Sequence, residues 1–484
     1  MISYSHLIKK VSGFGILNTT QLGLRFVVTI LFAQLLSPDP FGTVALASVI
    51  LTIISLGLQW GAVEAVMQDT NHDHVFSTIV WLKAGASLLF LVVLAFLSFP
   101  LRWVYPDEVI NITLLLAVPF FLLSMSAPFK GAIQQNLSLV RIGAVQLFAV
   151  VIGAGLGLII AARRGGTDGL VLYYGTINML TAIGYVLLSP QYPHLVIDRE
   201  TAGWVLNFAR DMLVSELFIS VQQRGDDLIV GTLGSTGVLG VYRVAWQLSS
   251  AFRLVIQPMI SEGITPVFAQ LDNKERSKRA IEFVFRMQLY LSVPAFVIVG
   301  LVAPELVRLV FGSEWIGMAP ILRILAVAGI LYSLVGTAGK FYHARGEADM
   351  FSRLQRTFVS TMILGLIVLV PLFDGIGAAL AMSGSQLLAV VLIFRQLRRQ
   401  LHLSVAGVVV SPFISGFVSV TVGIALQLGI FWNAMDPMIT VALSALVVTI
   451  CFYCTLLIVA RERVVRDISF ITSSLFGSTS GFES

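Results

Sequence analysis

Basic residues stand inside apolar stretches of this sequence, where they could bind an anionic ligand. Arg25 lies midway along the apolar run 14–36, and Arg253 lies midway along the run 240–266. A charge at the centre of a bilayer costs at least ~2.5–3.5 kcal/mol, so such a side chain faces a bundle interior or a water-filled cavity. Because a planar guanidinium binds phosphate oxygens in a bidentate way, the two arginines predict a cationic cavity for negatively charged cargo.

Amide side chains accompany both arginines at helical spacing, so each arginine shares one face of a helix with polar neighbours. In lipid such a face must point inward. The alternative is that each arginine pairs with an acidic neighbour and only holds helices together. On the cavity interpretation we expect four amides to contact the cargo beside Arg25 and Arg253, namely Asn18, Gln21, Gln247 and Gln257.

Further charged residues fall within the apolar runs or near their ends. Arg224 and Asp227 are three residues apart and could pair along one helix. Lys83 and Arg243 lie close to span ends, where a long side chain either snorkels to the surface or stands at a cavity mouth. We therefore add Arg224, Lys83 and Arg243 to the predicted cargo-binding residues. The carboxylates that could bind a coupling proton or sodium ion are Asp226, Asp227 and Glu216.

The sequence contains no clear motif for ATP hydrolysis, nucleophilic catalysis or metal binding. The sequence has no Walker loop with its lysine, so ATP is not expected to drive this chain directly. The six histidines fall in predicted loops or ends, and no serine or cysteine nucleophile pairs with a histidine inside a span. A lone CxxC at Cys451 and Cys454 is a weak metal or redox signal. We expect no metal site, no cofactor, no catalytic residue and no nucleic-acid partner.

The composition indicates that these residues lie on membrane-spanning segments. Hydrophobic residues make up 57% of the chain and charged residues 12%, whereas a soluble domain is ~25% charged. Apolar runs of ~20 residues suit transmembrane helices and are too long for barrel strands. The sequence predicts an all-α integral membrane protein with about fourteen spans, approximately 14–36, 41–63, 77–99, 109–129, 142–162, 168–188, 209–231, 240–266, 284–303, 320–340, 354–373, 376–396, 406–430 and 437–459.

The distribution of lysine and arginine predicts the orientation of these spans. Of the 31 basic residues, twenty-one fall on one predicted side, five on the other and five within spans. Since the cytoplasmic side carries the excess of Lys and Arg, we expect both termini to be cytoplasmic. The net charge of +5 is explained by these membrane-flanking loops.

Two parts of the sequence resemble each other at a constant offset. The stretch 41–45 opens the second span and 239–245 opens the eighth, while glycine-rich turns follow at 166–170 and 374–378. Parallel repeats of this kind are a transporter trait, with cargo bound between the repeats. We predict an N-terminal six-helix lobe at 1–190, a cytoplasmic linker at 191–204, a second six-helix lobe at 205–400, two additional helices at 401–462 and a cytoplasmic tail at 463–484.

The whole pattern resembles the polysaccharide transporter (Wzx-type flippase) family of the multidrug/oligosaccharidyl-lipid/polysaccharide flippase superfamily. The resemblance extends over nearly the whole chain and combines the span count with several short motifs. These motifs are found at residues 25–33, 35–42, 128–134, 239–245, 257–258 and 265–266.

This resemblance implies two six-helix lobes in a V around a central cavity, with two extra helices at the C-terminus. It implies a bacterial inner-membrane flippase for undecaprenyl-diphosphate-linked oligosaccharide, a precursor of exopolysaccharide, O-antigen or capsule. Cationic residues of the first and eighth helices serve the cavity in this superfamily, and Arg25 and Arg253 match that placement. The lipid II branch also has a basic residue on the second helix, which is missing here and argues against lipid II as cargo.

Two other functions stay open at this stage, besides a role as a scaffold for a polysaccharide assembly complex. An ion-coupled drug or metabolite antiporter would keep the fold, but carboxylates would be expected deep in the first lobe, and none is found there. A membrane polysaccharide polymerase or ligase would need a sizeable external loop, and the longest predicted one, 304–319, is short. The expected partners are lipid-linked oligosaccharide, membrane lipids and, in the same pathway, a polysaccharide polymerase and a chain-length regulator, with proton or sodium coupling.

Overall fold

Long apolar α-helices form almost all of the regular structure. The computed structural model describes residues 4–58, 61–68, 73–261, 268, 273–428 and 436–475, and among these no β-strand occurs. Helices are the expected element because lipid offers no hydrogen bonds to the backbone, so each exposed span must satisfy its own N–H and C=O groups. The chain divides into two compact units, Met1–Arg243 and Val244–Ser484.

The first unit contains nine complete helices among its described residues. The second of them continues into a short 3-10 turn, Ser55–Leu58. In chain order they are α1 Tyr4–Leu35, α2 Pro38–Ile54, α3 Ala62–Gln68, α4 Asp73–Leu101, α5 Asp107–Met125, α6 Ala127–Gln135, α7 Leu139–Arg164, α8 Asp168–Leu188 and α9 Arg199–Leu233.

The second unit follows a helix that crosses the boundary, α10 Thr236–Ser261. A 3-10 turn at Ser313–Trp315 precedes the α13 helix. The described helices of this unit are α11 Lys274–Leu301, α12 Ala303–Val310, α13 Met318–Ala344, α14 Ala348–Leu401, α15 Val405–Gln427 and α16 Pro437–Leu475.

Ten helices of the described residues are long and apolar enough to cross a membrane. The α14 helix contains two predicted spans, because the backbone of Asp374 leaves the helical region with φ 50° and ψ −132°. Predicted spans two, seven and eight correspond to α2, which is short, and to the more polar α9 and α10. The all-α membrane fold is therefore confirmed, whereas the count of fourteen and the lobe boundaries stay predictions.

Small residues allow α7 and α8 to pack closely in the first unit. Gly153, Gly157 and Ala161 recur every four residues on α7 and face α8. A Cβ at Gly157 would lie 2.7 Å from the backbone oxygen of Gly169 and 2.9 Å from the Tyr173 Cβ. Because apolar helices in lipid associate through close van der Waals packing, this row of small residues fixes α8 against α7.

Helices α2 and α10 meet at their N-terminal ends, inside the first unit. A Cβ at Gly42 would overlap the carbonyl oxygen of Thr236, and a Cβ at Gly240 would overlap the carbonyl oxygen of Pro38. The Thr236 hydroxyl also donates a hydrogen bond to the Asp39 carboxylate. Only glycine permits this backbone approach, which we call the glycine crossing of Pro38, Gly42, Thr236 and Gly240.

The segment before α9 is hydrogen-bonded to the start of α4. The backbone N–H of His194 donates to the Ser77 hydroxyl at 2.9 Å, and its carbonyl accepts from the Trp81 indole at 2.7 Å. The backbone N–H of Asp198 donates to the Thr78 hydroxyl at 3.0 Å. The predicted inter-lobe linker is thus held along part of its length by the first unit.

Helix α11 is central to the second unit, where it packs against α13, α15 and α16. Pro294 has no N–H, which leaves the carbonyl of Tyr290 without its helical donor, and the Tyr453 hydroxyl of α16 donates to it at 3.2 Å. Such interhelical bonds average about 0.6 kcal/mol in membranes. Arg286 and Asp467 add a bidentate pair at 2.8 and 2.7 Å.

Candidate functional site

The residues of the predicted polar face of α1 differ in their exposure. Asn18 and Arg25 are exposed, whereas Gln21 is buried at 6% exposure. Arg25 stands near the middle of the candidate span Gly13–Leu35. Since an arginine at that depth is not stable against lipid tails, its exposed face must meet water or a polar ligand.

The neighbours of Arg25 are hydroxyl and amide groups. The phenol groups of Tyr173 and Tyr185 on α8 lie within electrostatic reach of its guanidinium. The Gln146 amide donates to the Tyr185 hydroxyl at 2.8 Å. Within the described part of the chain, no carboxylate lies in salt-bridge distance of Arg25. Arg25 is therefore a cation without an anionic partner among the described residues, and the two tyrosines near it are themselves buried.

Lys83 lies in the first part of the span His74–Leu101 and is buried rather than snorkelling to the surface. Its side chain is 3% exposed, and the amine donates to the carbonyl of Leu58 at the end of the 3-10 turn. Glu64 of α3 interacts with it electrostatically. The last carbonyls of a helix lack internal donors and carry partial negative charge, so Lys83 stabilises the point where α2 stops. Cargo contact by Lys83 stays a prediction.

Four charged residues meet between α9 and α10 within the first unit. Asp227, which is 4% exposed at its side chain, accepts hydrogen bonds from the guanidinium of Arg243 and, at 3.5 Å, from that of Arg224. The spacing of three residues predicted the second of these pairs. Arg243, which the sequence placed near a span end, is instead directed at this carboxylate.

Asp226 lies beside Asp227 but has a different partner. Its carboxylate accepts a hydrogen bond from the Tyr242 hydroxyl at 2.9 Å, and both side chains are buried. Both predicted coupling-ion carboxylates are buried, with Asp226 at 4% and Asp227 at 3% exposure. Tyr242 was not among the predicted residues, because no local spacing connects it with Asp226.

The remaining predicted residues are only partly described. Gln247 is half-buried and makes further contacts of its own. Glu216, Arg253 and Gln257 lie on α9 and α10, but their side chains fall outside the described residues. Their roles stay predictions. Among the described residues no group of three or more histidine, cysteine, aspartate or glutamate side chains could hold a metal ion.

Solved membrane transporters share this fold over most of the chain. The superposition with the lipid II flippase MurJ in an inward closed conformation covers 93% of this chain and 99% of the MurJ chain, with a TM-score of 0.72 and 14% identity. The superposition with an inward-facing multidrug resistance transporter of the MATE family covers 79% of this chain and 94% of that transporter, with a TM-score of 0.59 and 16% identity. The chain therefore has the fold of the MOP superfamily, whose members named here are transport proteins and not enzymes.

Sequence comparison gives the family. The model of the polysaccharide biosynthesis protein family matches residues 31–320, more than half of the chain. The chain belongs to this family, which confirms the resemblance stated from its motifs.

Curated relatives have names from polysaccharide pathways. The teichuronic acid biosynthesis protein TuaB of Bacillus subtilis (strain 168) is 25% identical over 304 residues, which are 61% of this chain and 62% of TuaB. The lipopolysaccharide biosynthesis protein WzxC of Escherichia coli (strain K12) is 21% identical over 68% of either chain. The succinoglycan biosynthesis transport protein ExoT of Rhizobium meliloti (strain 1021) is 21% identical over 66% of either chain.

Proposed function

We propose that this protein is a flippase that moves undecaprenyl-diphosphate-linked oligosaccharide units across the bacterial inner membrane by alternating access. Membership of the polysaccharide biosynthesis family supports the pathway, and the fold shared with a lipid II flippase supports lipid-linked cargo. The observation that carries the proposal is Arg25, an exposed mid-span cation without a carboxylate partner among the described residues. A diphosphate would supply the missing negative charge.

Arg25 binds the diphosphate in this mechanism, while the polyprenyl tail stays in the lipid. Its planar fork suits paired phosphate oxygens. The exposed Asn18 amide, two turns away on the same helix, provides a hydrogen bond for the first sugar. The excess of basic residues on one predicted side supports cytoplasmic termini. The exported unit would then pass to a polysaccharide polymerase and its chain-length regulator.

The test measures lipid-linked oligosaccharide on each face of the inner membrane in a strain that lacks the gene. Rescue by wild-type protein, Arg25→Ala and the matched control Arg164→Ala would be compared at equal membrane levels. Arg164 is an exposed arginine at the end of α7, outside the interior of the span. We expect cytoplasmic accumulation in the deletion and with Arg25→Ala, and normal sidedness with Arg164→Ala.

Two outcomes would contradict this proposal. Normal export by Arg25→Ala would remove the assigned role of Arg25. Normal sidedness in the deletion strain, with short or unlinked polymer outside, would indicate a polymerase, a ligase or an assembly partner instead. Sensitivity of the deletion strain to drugs, with normal polysaccharide, would indicate the antiporter alternative.

We also propose that Asp226, rather than Asp227 or Glu216, binds the coupling ion. Asp227 is neutralised by two arginines, and protonating it would leave their charges without that carboxylate. Among the described residues, the direct hydrogen-bond partner of Asp226 is the neutral Tyr242 hydroxyl, so its charge can change without breaking an ion pair. In inverted vesicles we expect Asp226→Asn to flip cargo at a rate independent of the imposed proton or sodium gradient. Unchanged gradient dependence would contradict the assignment.

A further inference from the structure

The segment between α8 and α9 exposes several large apolar side chains within a short stretch. Leu195 is 88% exposed, Tyr192 64% and Ile197 59%, and Trp204 in the second turn of α9 is 41% exposed. Single exposed apolar residues are ordinary, but a group of them marks a surface that meets a membrane or another protein. We call residues 192–197 the linker turn and ask which apolar partner covers it.

The backbone of the linker turn bends sharply, with Leu195 at the tip of the bend. The Val196 N–H donates to the His194 carbonyl at 2.8 Å, which closes a three-residue turn around Leu195. The exposure of Leu195 shows that its side chain has few contacts with the rest of the protein. Leu195 therefore projects from the protein surface.

Helix α4 holds the chain on both sides of this bend. The backbone of His194 donates to the Ser77 hydroxyl and accepts from the Trp81 indole. The Asp198 N–H donates to the Thr78 hydroxyl. The bend thus has a fixed position beside the first two turns of α4, and its apolar tip is not the end of a loose loop.

The protein itself satisfies much of the hydrogen-bonding capacity of this irregular backbone. Pro190 and Pro193 have no N–H to satisfy. Four other backbone N–H groups donate within the protein, namely those of Gln191, His194, Val196 and Asp198. A loop in water does not need such partners, whereas non-helical backbone at the edge of lipid does. The pattern of bonds therefore fits a segment that lies close to lipid.

Two neighbouring spans give the depth of the linker turn. The span Asp168–Leu188 has 21 residues and is about 31 Å long, close to the ~30 Å of the hydrocarbon core. The span His74–Leu101 has 28 residues and is about 42 Å long, so about four residues at each end extend beyond the core. Ser77, Thr78 and Trp81 are therefore within about one turn of the core boundary. The linker turn, which bonds to them, lies at the same level.

We propose that the linker turn inserts Leu195 and Ile197 into the boundary between lipid headgroups and acyl chains. This segment is then a membrane anchor rather than a free tether between the two predicted lobes. The depth of the turn and its exposed apolar side chains favour lipid over a soluble protein as the partner. Tyr192 and Trp204 add aromatic rings of the kind that are enriched at membrane interfaces.

Burial of apolar surface, rather than attraction of charge, accounts for this anchor. Arg199 is flanked by Asp198 and Glu200, so the charges beside the turn give no preference for anionic lipid. The binding of interfacial segments scales with the apolar area that they bury. We therefore expect the anchor to enter neutral and anionic bilayers alike.

The test uses the purified full-length protein without cargo, so it does not depend on the proposed flippase activity. After Cys451 and Cys454 are replaced by serine, Leu195→Cys would carry a nitroxide label in vesicles of phosphatidylethanolamine, with or without phosphatidylglycerol. Glu314→Cys, at an exposed position of the 3-10 turn before α13, provides the water-exposed reference. We expect the ratio of oxygen accessibility to nickel–EDDA accessibility to be severalfold higher at position 195 than at position 314 in both lipid mixtures.

A fluorophore on the same cysteine provides the second measurement. Nitroxides at shallow positions of the acyl chains should quench it more strongly than nitroxides at deep positions. The proposal is overturned if position 195 is as accessible to nickel–EDDA as position 314, or if it enters lipid only when phosphatidylglycerol is present. Protection of Leu195→Cys from a membrane-impermeant maleimide in inverted native vesicles, with full reaction in vesicles of pure lipid, would also overturn it and assign the linker turn to a protein partner.

Discussion

Two adjacent buried carboxylates, Asp226 and Asp227, differ in what neutralises them. Asp227 is held by the guanidinium groups of Arg224 and Arg243, whereas Asp226 receives one phenolic hydrogen bond. A buried ion pair contributes little net stability when formed, but removing one partner leaves an uncompensated charge and costs roughly 3–5 kcal/mol. The same substitution at the two positions should therefore have unequal effects.

Replacing Asp227 by asparagine should destabilise the protein by about 3 kcal/mol, because Arg243 loses its buried counter-charge. Replacing Asp226 by asparagine should cost much less, since the amide oxygen can still accept from Tyr242. Thermal unfolding of the two purified variants in detergent, compared with wild type, measures the difference. Equal melting temperatures for Asp226→Asn and Asp227→Asn would contradict the assigned pairing.

Sequence spacing could predict some of these residue contacts and not others. Arg224 and Asp227 are three residues apart on one helix, so their pairing was predictable. The bond from Tyr242 to Asp226 joins two helices, and the bond from Lys83 to the Leu58 carbonyl joins α4 to a backbone group. Neither leaves a pattern in the sequence, because both depend on how helices pack.

At the scale of elements, the glycine crossing sets the separation of α2 from α10. The Cβ of any other residue at Gly42 or Gly240 would meet backbone atoms, which cannot move aside as a flexible side chain can. Gly85 of α4 provides a contrast, because nothing lies within 4 Å of the position its Cβ would occupy.

Leucine at Gly42 or Gly240 should lower stability by more than the ~1–3 kcal/mol typical of overpacking, since the clash is with backbone. Gly85→Leu should be close to neutral. Melting temperatures and the monodisperse fraction in size-exclusion chromatography test this pair of expectations. If Gly240→Leu is as stable as Gly85→Leu, the close approach of the two helices is wrong.

The start of α9 depends on a charged cap. The Asp198 carboxylate accepts from the Thr201 hydroxyl at 2.6 Å and from the Thr201 N–H at 2.8 Å. These hydrogen bonds hold the pKa of Asp198 below its usual value. Because the folded pKa is lower than the unfolded one, the stabilisation is complete above the ordinary value of about 3.9 and is lost as the pH falls through the folded pKa.

Hydrogen exchange at the first turn of α9 can detect this pH dependence. We expect Asp198→Ala to reduce protection relative to wild type at pH 6, with a smaller difference at pH 3 after correction for intrinsic exchange rates. Ser404, which caps α15 by accepting from the Gly407 N–H at 3.1 Å, is an uncharged control. The effect of Ser404→Ala should be the same at both pH values, and a pH-independent effect of Asp198→Ala would refute the argument.

For the whole molecule, hydrophobic runs predicted the helical membrane fold because each span satisfies its backbone within itself. They predicted the break in α14 as a glycine-rich turn, and Asp374 leaves helical geometry there. The composition of α9 and α10 does not show how their charged residues are neutralised. Arg224 has its partner Asp227 on the same helix, but Asp226 and Arg243 have theirs on the neighbouring helix.

The break at Asp374 predicts that its two sides form separate spans. A straight helix of 54 residues would be about 80 Å long, against a hydrocarbon core of about 30 Å. After replacement of Cys451 and Cys454 by serine, a cysteine at Asp374 should react with a membrane-impermeant maleimide from outside. A cysteine at His402 should react only in permeabilised cells. Labelling of both from the same side would exclude this topology.

The glycine crossing also has a consequence for the origin of the chain. Gly42 contacts Thr236, and Gly240 contacts Pro38. Thr236 follows Pro38 by the same number of residues as Gly240 follows Gly42, so the two contacts join equivalent positions. This exchange of equivalent positions is what a two-fold axis imposes on a homodimer, where residue i meets j and j meets i. A half-length ancestor could form the same contact between two separate copies, so gene duplication and fusion would join surfaces that were already complementary.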